Sequence, residues 1–316
     1  LAVEYDLLID DPDSENDLHH AGYDTIPSST MLQCLAAGLI KDIKRKSILK
    51  LEKSKVIEAW PKVKDAIFHA VEYCRNQYRI PVSRLLPYAT LLVPLSYFFL
   101  KNNGKPPNSL QKKLLAQYFW WASLSRRFSS AVESKIAQDL KRIDKILKDK
   151  PPIYKEEEEL QLTLDGLINK TFSAGDAFCK AVLSLFSYHQ PKSFSDNSLV
   201  RIDNSWLKVA FSKNYHHFFP KAYLRREGFN DYEANSIVNI TIVDDYLNKR
   251  EIGAKSPSIY METFKKSNNQ LDKTMRSHLI DNIDKYGIWD DDYRVFLQKR
   301  GKKILRLLES RLHPRL

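Results

Sequence analysis

The stretch Asn214-Tyr215-His216-His217-Phe218-Phe219-Pro220, followed by Asn239-Ile240-Thr241-Ile242-Val243 and then by Asn248-Lys249-Arg250-Glu251-Ile252, decides how this chain is read. Alternation along a strand sends His216 and His217 to opposite sides, so they cannot do the same job. One can hold a metal while the other stays free to take a proton; a surface or structural pair is the plainer alternative. Asn239 opens an apolar strand, where an asparagine is unusual unless its amide ties down backbone. Asn248 follows Asp244 and Asp245 in a segment that reads as the first turns of a helix. The pattern is a strand with His-His, a loop, a returning strand and a helix that carries an oxygen ligand.

Upstream of this stretch the sequence reads as helices. From Ser28 to about Lys150 apolar residues return every three or four positions. One helix, capped by Ser29 or Thr30, runs through Leu32, Leu35, Leu39 and Ile43; a second carries Val56, Trp60, Val63, Ile67, Val71 and Cys74. After the break at Asn103, Gly104, Pro106 and Pro107, Ser109 caps a helix through Leu110, Leu114, Tyr118 and Trp121, and another follows through Ile136, Leu140, Ile143 and Leu147. Pro151 and Pro152 end the run, Glu156 to Glu159 start a solvated helix or loop, and a helix spans about Asp176 to Tyr188. Beyond Pro191 the β-branched content rises, at Val200, Ile202, Trp206 and Val209 and again at Ile237, Ile240, Ile242 and Val243. Helix returns over Asn269 to Leu279 and Asp290 to Leu312. Trp120 and Trp121, inside an amphipathic helix, read as core rather than as stacking platforms, and His69, His189 and His278 as structural residues. The chain carries no GxxxxGK or GxGxxG loop and no internal repeat.

The charge is segregated. The 316 residues hold 50 Lys plus Arg against 39 Asp plus Glu, a net +11, yet residues 1 to 40 contain eight acids and no Lys or Arg. A −8 leader is thus joined to a +19 body, the electrostatic footprint of a protein that meets nucleic-acid phosphates, or else plain basic helix surface. The densest cluster is Lys299, Arg300, Lys302, Lys303, Arg306, Arg311 and Arg315 against Glu309, interleaved with Leu297, Ile304, Leu305, Leu308 and Leu312. That spacing predicts one helix, apolar face inward and basic face outward.

Cys34, Cys74 and Cys179 form no CxxC pair, which argues against a disulfide scaffold or thiolate zinc site and suits a reducing cytoplasm. Leu85 to Leu100 is the longest uncharged run, but its sixteen residues include Pro87 and Pro94 and fall short of the ~20 that a spanning helix needs. The expectation is a buried, kinked core helix and no membrane association. The acidic amino end is unlike a signal peptide. A start at Leu1 rather than Met is what a carboxy-terminal piece of a longer protein would show.

The quoted stretch resembles the HNH, or His-Me finger, endonuclease motif. With Lys221 and the run Lys255-Ser256-Pro257-Ser258-Ile259-Tyr260 it is similar to the nuclease half of GmrSD-type and SspE-type restriction proteins; Phe119-Trp120-Trp121-Ala122-Ser123 and Arg126-Arg127-Phe128-Ser129 match that group more loosely. The resemblance implies a mainly α chain: an acidic leader or linker over 1–27, a helical bundle-like domain over 28–192, and a ββα-metal nuclease domain with flanking and basic C-terminal helices over 193–316. It implies His217 as general base, Asn239 as the asparagine that braces the hairpin and orients that base, and His216 and Asn248 as ligands of one divalent ion. His216 stands where the family commonly has Asp, and an imidazole favours Mn, Ni or Zn over an all-oxygen Mg site; Asp244 and Asp245 are substitute ligands. Lys249, Arg250 and Lys255 clamp flanking DNA phosphates, or are ordinary surface bases. The implied activity is cytoplasmic restriction of foreign (phage) DNA by cleavage or nicking. The family's ParB-like nucleotide-handling domain, with its Asp-Gly-Gln-Gln-Arg type motif, is absent from this chain and would be a separate domain or subunit. The alternatives are a non-catalytic helical module, binding DNA or a partner through a degenerate HNH hairpin, and an RNase or toxin using the same site.

Overall fold

A computed structural model describes residues 2–13, 17–154, 160, 162–204, 215–243 and 251–314, the side chains of Ala2 and Tyr215 excepted. It is mainly helical. The chain forms two compact units, residues 1–160 with 311–316, and residues 161–310. Helix Ala177–Tyr188 packs on the hairpin strand Ile240–Ile242 within the second unit.

In the first unit, helix Leu92–Lys101 lies against Ser28–Ile40, Lys53–Gln77 and Val132–Ile146, and every residue from Leu92 to Phe99 is buried. The uncharged run thus becomes core, but as two short 3-10 turns, Ser83–Leu85 and Ala89–Leu91, before the helix. Pro87 has no N–H to give and cannot sit inside a helix, whereas Pro94 falls in a first turn, where none is needed. No helix among the described residues is long and apolar enough to cross a membrane. The helix expected to reach Ile43 stops at Ile40, where Lys41 turns left-handed at φ 53°. Asn108, not Ser109, caps Ser109–Leu124: its side chain accepts from Gln111 N while the Gln111 side chain accepts from Asn108 N.

Trp120 and Trp121 are core. The Trp121 ring lies 4.8 Å from both the Arg127 and Arg142 guanidinium carbons. Both arginines bond the fully buried carboxylate of Asp139, Arg127 Nε at 2.9 Å and Arg142 Nη1 at 2.6 Å, and Tyr118 donates its hydroxyl to the same group at 2.9 Å. The acidic amino end is also built in: Leu8, Leu18 and Tyr23 are buried, Trp60 Nε1 donates to Glu4 at 2.6 Å, and Tyr5 donates to the Ile26 carbonyl at 2.8 Å.

In the second unit, the sheet among the described residues has two antiparallel strands, β1 (Tyr215–His217) and β2 (Ile240–Ile242). Their register pairs Tyr215 with Ile242, His216 with Thr241 and His217 with Ile240. The β-branched stretch at Val200 and Ile202 is irregular chain following a single Lys192–Leu199 bridge. Trp206 and Val209, like Glu156 to Glu159, lie outside the described residues.

Helix Tyr293–Leu312 buries Tyr293, Phe296, Leu297, Ile304, Leu308 and Leu312 and exposes Lys299, Lys302 and Arg306, as its spacing predicts. Arg300 is the correction to that outward basic face: it is 1% exposed, because positions 297, 300, 304 and 308 share the inward stripe. Lys303 pairs with Asp281 at 3.0 Å.

Candidate functional site

Strands this short are not stable as a free hairpin, so what holds β1 and β2 determines where the two histidines sit. Three groups of contacts do so. The first is aromatic: Phe218 stacks on Phe296 with ring centroids 4.8 Å apart, Phe219 packs on Tyr293 at 5.2 Å, and the Tyr260 hydroxyl donates to the Phe218 carbonyl at 2.6 Å. The rings following the His pair are thus anchors in the core, and Tyr260 of the Lys255–Tyr260 run is tied to them.

The second is Asn239, which is fully buried. Its Oδ1 accepts from Phe219 N at 2.8 Å, and its Nδ2 donates to the carbonyls of Phe219 at 2.9 Å and Ala234 at 3.0 Å. One carboxamide joins both ends of the 219–239 connection, the backbone-tying use expected of it from the sequence.

The third is Arg300. Its Nη1 donates to the carbonyls of Val238 at 2.6 Å and Ile240 at 2.7 Å, and its Nε to that of His278 at 3.0 Å. Burial without a carboxylate lowers its pKa to about 9, still cationic at neutral pH. His278 Nε2 bonds the Lys192 carbonyl at 2.8 Å and must be the donor there; its Nδ1 therefore accepts from Thr241 Oγ1, also at 2.8 Å. Both imidazole nitrogens of His278 are committed, and burial pushes its pKa down to about 3. This histidine is structural.

His217 is placed differently. Its ring is half-buried, and Nε2 lies 2.8 Å from Asn235 Oδ1. The Asn235 amide is itself oriented, because its Nδ2 donates to the Phe172 carbonyl at 3.0 Å and so turns the oxygen toward the imidazole. Nε2 therefore carries the proton and Nδ1 keeps its lone pair, which has no partner among the described residues. Burial is the main cause that holds the His217 pKa at about 4; the Asn235 bond opposes it, and the charges of Lys221 and His216 push the same way as burial. The ring is neutral above about pH 5.

His216, 7% exposed, points to the other face of β1. Asn248, Lys249, Arg250, Asp244 and Asp245 lie outside the described residues, so His216 is the member of the expected ligand pair that is described. Among the described residues no three His, Cys, Asp or Glu side chains gather as a metal site. Lys255 is exposed and donates to the Glu251 carbonyl at 2.8 Å. Asn235 is the neighbour of His217 that motif reading passes over; its one signal is an Asn at a helix C-cap, four residues before Asn239.

No family model matches the chain. It is similar to an uncharacterized protein of Methanocaldococcus jannaschii, 27% identical over 249 residues, which covers 76% of this chain. The match spans 40% of that relative's length.

Proposed function

We propose that this chain is a metal-dependent endonuclease or nickase of the HNH (His-Me finger) type, hydrolysing DNA phosphodiester bonds in restriction of foreign DNA. The observation that carries the reading is the state of His217: neutral, pinned through Nε2 by an oriented amide, and presenting an uncommitted Nδ1. A general base must be in its free form and aimed before substrate arrives. In this reading Nδ1 takes a proton from water, the oxygen attacks phosphorus, and the P–O3′ bond breaks. Lys221 lies close enough to affect His217 electrostatically and adds positive charge where a phosphate would sit. That phosphate's negative charge favours the imidazolium, so the basicity of His217 rises once substrate is bound.

The imidazole donor of His216 suits a borderline divalent ion, and such an ion, when bound, neutralises charge on the scissile phosphate. Asn239 acts on the backbone that carries His217. In the ββα reading, β1 and β2 are the two strands, and Asn248 lies outside the described residues.

The test is a supercoiled-plasmid assay with Mg, Mn or Ni, run beside an RNA substrate. The parent nicks or linearises DNA and His217→Ala does not, with a loss of about a hundredfold or more. If His217→Ala cuts as fast as the parent, His217 is not the base. Cutting of RNA alone would move the substrate class to RNA.

A further inference from the structure

Beside the turn that holds His217 lies a cleft of about 490 Å³, open to the surface, with Asn169, Thr171, Tyr232, Arg294 and Gln298 on its walls. None of these side chains makes a hydrogen bond to protein among the described residues. Tyr232 is 79% exposed, a large ring with nothing covering it. The Arg294 guanidinium sits over the Phe229 ring at 5.9 Å and has no carboxylate partner among the described residues. Glu233 and Asn230, also on the wall, are used internally: each accepts from the other's backbone N–H and they fix the turn Asp231–Ala234.

We infer that this cleft takes one unstacked base of the strand that His217 acts on and biases which nucleotide adjoins the cut; the inference rests on the nuclease reading above. A base has a flat π-face and an edge of mixed donors and acceptors. Tyr232 supplies a face of the first kind, and the carboxamides of Asn169 and Gln298 each offer a donor and an acceptor to the second. Arg294 supplies a cation for the attached phosphate. Apolar lining suited to a lipid tail is confined to Ile168, Leu297 and the two rings of Phe229 and Tyr293.

The placement follows from the turn itself. Tyr232 and Asn235 lie three residues apart on one capped turn, ~5 Å along its axis. Asn235 bonds His217 on β1, so the turn that carries the stacking ring also fixes the general base. The occupant therefore belongs to a nucleotide next to the scissile phosphate, extruded if the substrate is duplex.

The experiment uses the full chain carrying His217→Ala, so that the strand survives, titrated with single-stranded DNA containing 2-aminopurine. Binding quenches the probe by stacking. Adding Tyr232→Ala weakens binding about tenfold and removes the quenching, while Tyr232→Phe stays within about twofold. Tyr232 touches so little that its variants fold. Unchanged affinity and quenching in Tyr232→Ala overturn the cleft assignment. With His217 intact, Tyr232→Ala and Gln298→Ala flatten the base preference beside the cut. A chain that cuts plasmid with the same preference after Tyr232→Ala refutes the cleft alone; a chain that neither binds nor cuts refutes the nuclease reading as well.

Discussion

Replacing Asn239 by Ala removes one acceptor and two donor contacts from a fully buried position. What remains is Phe219 N–H and the carbonyls of Phe219 and Ala234 facing a space that a methyl does not fill. Each stranded buried group costs ~1–3 kcal/mol. Taking the low end, because chain 219–239 can relax toward water at its ends, the loss is about 3 kcal/mol. The amide of Phe219 reports it directly by hydrogen exchange, since its N–H donates to Asn239 Oδ1 at 2.8 Å. At 1.36 kcal/mol per factor of ten, its protection falls by about a hundredfold.

Asn239→Asp sharpens the test. A carboxylate keeps the acceptor for Phe219 N but sets its second oxygen against two carbonyl oxygens, so its folded-state pKa is raised above the unfolded value. That group's stabilising contribution is present in acid and is lost as pH rises through the folded pKa. Asn239→Asp is therefore at least as damaging as Asn239→Ala at pH 7 and recovers below about pH 4, where a protonated Asp can donate to one carbonyl. Protection of the Phe219 amide within threefold of the parent in Asn239→Ala would show that the carboxamide does not hold the hairpin.

A second prediction concerns His278, whose pKa is pushed down to about 3 by burial. The unfolded chain binds this proton near pH 6.5 and the folded chain does not, so the contribution is complete above about pH 6.5 and declines by up to ~1.4 kcal/mol per unit as pH falls toward 3. Urea midpoints between pH 7 and pH 4 measure it, and the slope lessens in His278→Gln. A third concerns Arg300: Arg300→Lys destabilises by about 2 kcal/mol or more, because an ammonium lacks the fork that reaches three carbonyls, and thermal melting with an unaltered circular-dichroism spectrum at 20 °C checks it.

The helices and the hairpin were legible where one residue type has few uses. Asp176 before an apolar-periodic run caps helix Ala177–Tyr188 through Cys179 N, and Asn239 before an apolar strand ties backbone. Other features depend on contacts far away in sequence. Asn235 owes its role to Phe172 and His217, 63 and 18 residues away, and no local pattern encodes that meeting. Arg300 looks like its basic neighbours in composition; only the phase of the helix, which sets it in line with Leu297 and Ile304, marks it as buried. Val200 and Ile202 have strand-like chemistry but pair with no strand among the described residues, and β-propensity without a pairing edge does not make a strand.

The contacts that fix the hairpin and those that would perform chemistry belong to different residues. Arg300, His278 and Thr241 support β2, and Asn239 and Tyr260 hold the backbone after His217; each spends its side chain on hydrogen bonds to protein. His217 alone among these has a ring nitrogen left over. A satisfied network costs little to keep and resists displacement, whereas a lone pair left exposed at its centre gains nothing for stability. That division separates the outcomes of substitution. Changes at Arg300, His278 or Asn239 should lower stability and activity together, while His217→Ala should lower activity at nearly unchanged stability. A His217→Ala variant that melted as far below the parent as Asn239→Ala would instead make His217 another strut of the fold.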